Sequence, residues 1–178
     1  MALTVLIGGA RSGKSRLAVE LAVASGARVT FLATGEARDE EMAAKIASHR
    51  AERPADWLTV EEPYALETTL TEAEPSHTVV VDCLTLWTAN ALARDGEPEQ
   101  VLEAATSAAA AAARRDALTI AVSNEVGLGI VPMEPFSRAY RDLLGSVNRI
   151  WVEASADAAF VVAGRALRLT GAGEFASS

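Results

Sequence analysis

With 178 residues, half of them hydrophobic and 22% charged, the chain is long enough for one domain with its own core, and too apolar to be disordered or low-complexity. A formal charge of −8 argues against a nucleic-acid platform, which carries a basic excess, and the single cysteine, Cys83, excludes an internal disulfide or a cysteine-rich zinc site. No apolar run approaches the ~20 residues of a membrane span and no basic-then-apolar leader opens the chain, so a cytoplasmic protein without stable membrane insertion is expected.

In chain order, Thr4-Val5-Leu6-Ile7 is a short run of β type closed by Gly8-Gly9. A helical repeat follows over 14–24, where Leu17 and Leu21, and Ala18 and Ala22, recur at i, i+4. Residues 28–33 read as a second buried strand. Helix formers with Met42 and Ile46 on one stripe predict a helix over 39–50, stopped by Pro54. A short helix is expected at 63–70, a buried strand at 78–82 and a helix at 84–93. The longest clear helix is 98–115, whose acidic start (Glu97, Glu99) and basic end (Arg114, Arg115) suit the macrodipole. A fourth strand at 118–122 leads into the loop 123–129, then a helix over 135–155 and two closing strands, 159–162 and 166–169, around Gly164-Arg165. The tail from Thr170 is short and polar.

Strands that alternate with helices and are apolar on both faces predict an α/β fold of three layers, a mainly parallel sheet flanked by helices. The closing pair predicts an antiparallel hairpin at the sheet edge. No repeat or linker divides 1–178, so a single domain is expected.

Gly8-Gly9-Ala10-Arg11-Ser12-Gly13-Lys14-Ser15 fits the P-loop pattern G-x-x-x-x-G-K-[ST], after a strand and opening a helix. Glycines let the backbone wrap phosphates, and the exposed N–H groups with the helix N-terminus make an anion nest. Lys14 would neutralise the β- and γ-phosphates, and the Ser15 hydroxyl would ligate Mg²⁺. Val79-Val80-Val81-Asp82 has the form of the second P-loop element, a buried strand ending in an aspartate near the metal. Of the two histidines, His77 lies in a polar turn and is expected to be a solvated loop residue. His49, followed by Arg50 and Arg53, is either a surface histidine on an amphipathic helix or a nucleophile between two guanidiniums that match phosphate geometry.

Four segments then occur in order: the P-loop, Glu41-Met-Ala-Ala-Lys-Ile-Ala-Ser-His-Arg50 with Arg53-Pro54, Trp57-Leu-Thr-Val-Glu61, and Ser123-Asn-Glu-Val-Gly-Leu-Gly-Ile-Val-Pro132. Together they make the chain, from residue 4 to about 169, similar to the bifunctional adenosylcobinamide kinase / adenosylcobinamide-phosphate guanylyltransferase family of cobalamin biosynthesis. The resemblance implies two reactions on adenosylcobinamide and adenosylcobinamide phosphate, with ATP or GTP as phosphoryl donor and GTP as guanylyl donor. In the first, the γ-phosphoryl group passes to the aminopropanol hydroxyl. In the second, a histidine attacks the α-phosphate of GTP, releases pyrophosphate and hands GMP to the cobinamide phosphate.

By position, the resemblance puts the guanylylated histidine at His49 and leaves Lys14 as the P-loop catalytic residue. It implies nucleotide contacts at Gly8, Gly9, Ala10, Arg11, Ser12, Gly13, Lys14, Ser15, Ala33, Thr34, Gly35, Arg50, Ala51, Glu52, Arg53, Glu61 and Asp82, with Mg²⁺ on Ser15 and Asp82. A neutral imidazole is a competent nucleophile near pH 7, and neighbouring arginines favour that form while drawing in the triphosphate. A cyclic homo-oligomer is expected, with the exposure of Trp87 and Trp151 left open. Rival readings are a P-loop small-molecule kinase without a covalent adduct and a nucleotide-sensing module. The Asn-Lys-x-Asp signature of switch GTPases is absent, no residue is assigned to guanine, and no cobalt ligand is evident.

Overall fold

Four segments are built round three consecutive apolar residues, as suits a strand when helices cover both of its faces. In the computed structural model, which describes residues 3–37, 39–40, 43–44, 47, 50 and 53–171, they are β1 (Leu3–Gly8), β2 (Val29–Ala33), β4 (Thr78–Asp82) and β5 (Thr119–Asn124). Three further strands, β3 (Leu58–Glu61), β6 (Asp157–Val162) and β7 (Arg165–Arg168), complete one seven-stranded sheet in the order β3-β2-β4-β5-β1-β6-β7. Every neighbouring pair is parallel except the closing hairpin, where Val162 pairs antiparallel with Arg165. The predicted α/β architecture and its edge hairpin are both present.

The helices are α1 (Lys14–Ala24), α2 (Leu66–Glu72), α3 (Leu84–Asp95), α4 (Pro98–Arg114) and α5 (Pro135–Ala154). On one face of the sheet α2 to α5 close over Leu3, Val5, Ile7, Val79, Val81 and Ala121. On the other, Ala18 and Ala22 of α1 sit on Leu6, Val29, Phe31, Val80, Ile120 and Val122. Alanine does particular service in α4, where Ala105, Ala108, Ala109, Ala111 and Ala112 are all buried. It has the highest helix propensity, and its small side chain lets neighbouring helices approach closely. Trp87 and Trp151 are both buried in the larger core, so neither is available as an oligomer contact. No helix among the described residues is long and apolar enough to cross a membrane.

Two differences from the sequence reading matter. β3 was not expected, because a half-exposed strand of four residues has no apolar run to announce it; it pairs with β2, setting Glu61 opposite Ala33. The helix expected over 39–50 falls in part outside the described residues; positions 40, 43, 44, 47 and 50 are helical, with the Ala43 N–H on the Asp39 carbonyl at 2.9 Å.

Just beyond α4, Arg115 closes the C-terminal end of α2. Its guanidinium donates to the carbonyls of Leu70, Ala73, Glu74 and His77, at 2.9 to 3.0 Å. Burial lowers its pKa from the ordinary arginine value. Removing it leaves the carbonyls of Leu70, Ala73 and His77 without this donor, whereas that of Glu74 keeps the His77 N–H, so Arg115→Ala is expected to cost about 2–3 kcal/mol of stability in urea unfolding. Arg115→Lys should recover less than half, because an ammonium cannot reproduce the planar fork. Equal midpoints for wild type and Arg115→Ala would show that the clasp is energetically idle.

Candidate functional site

In a parallel sheet the carboxyl ends of all the strands share one edge, and the site assembles there. β1 ends at Gly8, where a Cβ would lie 2.3 Å from the Val161 carbonyl oxygen and 2.8 Å from Ser12 Oγ, so only glycine fits between β1 and β6. The loop then turns through Arg11 (φ 56°) and Gly13 (φ 97°) into α1. A Cβ on Gly13 would also come 3.1 Å from Gly164 Cα, in the turn of the closing hairpin. That turn is tied to the loop by the Gly164 N–H on the Ser12 carbonyl at 2.8 Å.

Lys14 is buried, with Nζ donating to the Gly9 carbonyl at 3.0 Å across the mouth of the loop. Burial lowers its pKa, while the nearby Cys83 and Asp82 pull the other way. Ser12 Oγ is buried with no hydrogen-bond partner. The first turn of α1 has neither an acidic residue nor a side-chain cap. A desolvated cation, an unpaired hydroxyl and an uncapped helix N-terminus are jointly what a bound polyphosphate would satisfy.

Beside the loop lies a cleft of about 330 Å³ between α1 and the ends of β2 and β4, lined by Ser15, Arg16, Ala18, Val19, Glu20, Phe31, Val80, Asp82 and Arg53. Arg53 lays its guanidinium 3.6 Å from the centre of the Phe31 ring, which in turn stacks on Trp57. Burial lowers the Arg53 pKa, opposed by Asp82. The cleft therefore joins the P-loop helix, the Asp82 strand and the His-Arg-x-x-Arg segment. Phe31, which holds Arg53 in place, was read only as part of a strand. A larger, more open hollow of about 500 Å³ between residues 127–131 and α5 contains none of the predicted site residues.

The remaining predicted residues distribute unevenly. Ala33 and Gly35 are half-buried at the end of β2, and Glu61 is exposed at the end of β3. Thr34 between them is fully buried and bonded within the chain. Its hydroxyl donates to the Cys83 carbonyl (2.7 Å) and accepts from the Cys83 N–H (2.8 Å), its own N–H bonds to the Asp82 carbonyl (3.1 Å), and its carbonyl accepts from Asn90 (2.8 Å). Thr34 thus fixes the turn that presents Asp82. Arg50 is exposed; His49, Ala51 and Glu52 lie outside the described residues. His77 departs from expectation: it is half-buried, with Nδ1 3.0 Å from Thr30 Oγ1 and its carbonyl held by Arg115.

Among the described residues no three His, Cys, Asp or Glu side chains gather as a metal cage. Ser15 and Asp82 nevertheless line one cleft. One hydroxyl and one carboxylate fit Mg²⁺ as it binds with nucleotides, where phosphates and waters fill most of the octahedron.

Compared with known proteins, residues 4–169 match the family described as cobinamide kinase / cobinamide phosphate guanyltransferase. The chain belongs to that family. The "Bifunctional adenosylcobalamin biosynthesis protein CobP" of Pseudomonas aeruginosa is 45% identical over 174 residues, covering 94% of this chain and 96% of that one. The proteins named "Bifunctional adenosylcobalamin biosynthesis protein CobU" from Salmonella typhimurium and Escherichia coli are each 36% identical over 180 residues, covering 94% of this chain and 99% of theirs. Membership spans all four sequence segments, including the Asn124–Pro132 stretch that the P-loop alone does not require.

Two predictions follow from this geometry. Burial, with the negative charge of Asp82 adding to it, pushes the Cys83 thiol up to about 11. A raised thiol pKa keeps the neutral, unreactive form below that value, so folded protein should resist iodoacetamide from pH 7 to 9 and react only in denaturant. Alkylation of the native protein with a midpoint near pH 8.5, read by mass spectrometry, would contradict the buried placement. Lys14→Ala should leave the thermal midpoint nearly unchanged and weaken triphosphate binding by about 1.5–3 kcal/mol, the worth of a charge-assisted phosphate contact. Calorimetric titration with ATP and GTP measures it, and wild-type affinity in the variant would remove the P-loop assignment.

Proposed function

We propose that the chain is a single catalytic domain with two activities. It phosphorylates the aminopropanol hydroxyl of adenosylcobinamide from ATP or GTP, then transfers GMP from GTP to adenosylcobinamide phosphate through a guanylyl-His49 intermediate. The observation that carries this reading is the shared cleft: Ser15 of the P-loop helix, Asp82, and Arg53 of the His-Arg-x-x-Arg segment line the same space. A nucleotide seated on residues 8–15 would therefore meet the segment that bears His49.

In the kinase step the loop N–H groups and Lys14 bind the β- and γ-phosphates, and Ser15 and Asp82 would hold Mg²⁺. When bound, that ion neutralises charge between the two phosphates. Positioning and charge compensation supply most of the rate, because the transferred phosphoryl group needs little covalent help. In the guanylyl step His49 is the nucleophile. Arg50 and Arg53 would compensate charge on the α-phosphate, and splitting the transfer lets one protein serve two acceptors in turn.

The protein is expected to work in the cytoplasm as a homo-oligomer. With both buried tryptophans excluded, the support for assembly is the loop between β5 and α5, where Ile130 is 98% and Met133 96% exposed. Apolar side chains so displayed fit an interface between protomers.

The deciding experiment uses GTP labelled at the α-phosphate. Wild-type protein should acquire an acid-labile, base-stable label, as a phosphoramidate does, and pass it to adenosylcobinamide phosphate. His49→Ala should lose the label and the guanylyl transfer while keeping at least part of the kinase activity, which needs the P-loop but not this nucleophile. A label that persists in His49→Ala, or maps to His77 or a lysine, would end the covalent reading.

A further inference from the structure

The Asn-Glu-Val-Gly stretch that begins on the last residue of β5 has no part in the mechanism above, yet the topology puts that first residue between the two P-loop strands. β5 lies between β1 and β4, and in register Asn124 pairs with Gly8 while Val122 pairs with Asp82. Side chains alternate along a strand. Ile120 and Val122 enter the α1-side core and Ala121 the opposite one, so Asn124 stands on the α1 side. By the same alternation, so do Asp82, two residues after Val80, and Gly8, two after Leu6. Asn124 thus occupies the sheet edge beside the start of the P-loop, one strand from the predicted metal ligand.

Its backbone is fully engaged. The N–H donates to Thr85 Oγ1 at 2.8 Å, the carbonyl accepts from Asn148 Nδ2 at 3.0 Å, and the next N–H, of Glu125, bonds to the Gly8 carbonyl at 3.1 Å. Thr85 is held in its turn by Tyr140, whose hydroxyl donates to the Thr85 carbonyl at 3.0 Å. Against this background the side-chain oxygen is the exception: Asn124 Oδ1 is buried with no hydrogen-bond partner. An amide oxygen only accepts, so its complement must bring a hydrogen. Nucleotide phosphate oxygens at neutral pH are acceptors too and cannot serve. An alcohol can.

We propose that Asn124 Oδ1 accepts a hydrogen bond from the hydroxyl of the phosphoryl acceptor and aims its oxygen at the γ-phosphorus. This makes Asn124 a catalytic residue of the kinase step, and it rests on the kinase reading given above. The alcohol oxygen forms the new P–O bond as the bond between the γ-phosphorus and the β,γ-bridging oxygen breaks. That oxygen leaves with the electron pair on the nucleoside diphosphate. The alcohol proton is released to solvent, because an amide oxygen cannot keep it. Asn124 therefore orients the nucleophile and does not deprotonate it.

The test is steady-state phosphorylation of adenosylcobinamide by wild type, Asn124→Ala and Asn124→Asp, with ATP affinity and thermal midpoint measured alongside. Asn124→Ala should lower kcat by about 10- to 100-fold, as loss of nucleophile alignment does, with the ATP dissociation constant within threefold and the midpoint unchanged. Asn124→Asp keeps an acceptor oxygen in the same shape and should recover part of kcat while raising KM for ATP through charge repulsion. A kcat within twofold of wild type in Asn124→Ala would overturn the proposal. So would a fall in kcat matched by equal losses of ATP affinity and midpoint, which marks a structural residue. Wild-type protein that fails to phosphorylate adenosylcobinamide overturns the kinase reading and this inference together, whereas an active wild type beside an unaffected Asn124→Ala sinks this inference alone.

Discussion

Water is excluded from both faces of the central strands, and that exclusion governs where chemistry can occur in this molecule. β1, β4 and β5 are covered by helices on each side, so their backbone groups must pair with one another and their side chains must be apolar. Apart from Thr4 and Ser123, the polar side chains of these strands lie at their ends. Gly8, Asp82 and Asn124 are the last residues of their strands. The same exclusion acts on charge. Lys14 and Arg53 both lose pKa to burial, and both are supported by the carboxylate of Asp82. At that edge the cations and the carboxylate stand partly desolvated, which strengthens the attraction between them.

Much of this is legible in the amino-acid sequence, because it rests on local chemistry. The P-loop announces itself by glycine spacing after a strand, and the buried strands by unbroken apolar runs. What stayed hidden depends on partners distant in sequence. β3 is legible only through β2, since Leu58–Glu61 is half-exposed and too short to show a pattern. Arg115 reads as a helix-ending cation, yet four carbonyls more than 35 positions away determine its role. Thr34 matches a nucleotide-contact position, but its hydroxyl is spent on Cys83. His77 looked solvated because its own neighbours are polar, while the group that shelters it, Thr30, comes from another strand.

The candidate site divides along the same line. Ser15, Asp82 and Arg53 line one cleft, because the strand order brings their elements together. Phe31 could not have been singled out, since a phenylalanine in a buried strand is ordinary core until a guanidinium is found lying on it. Asn124 sat in plain view within a family-specific stretch, and only the sheet order gives that position a meaning.

The tie between the P-loop and the closing hairpin has a bearing on how the protein is made. Residues 8–15 are synthesised well before the elements that surround them: the strands that flank β1 are β5 and β6, and the turn that backs Gly13 is at Gly164. The P-loop segment therefore takes its final shape only after nearly the whole described chain has been synthesised. Until then β1 is an apolar strand with both edges open, the kind of segment that invites aggregation and chaperone capture. A ribosome stalled before residue 164 would carry a complete P-loop sequence without the hairpin that shapes it.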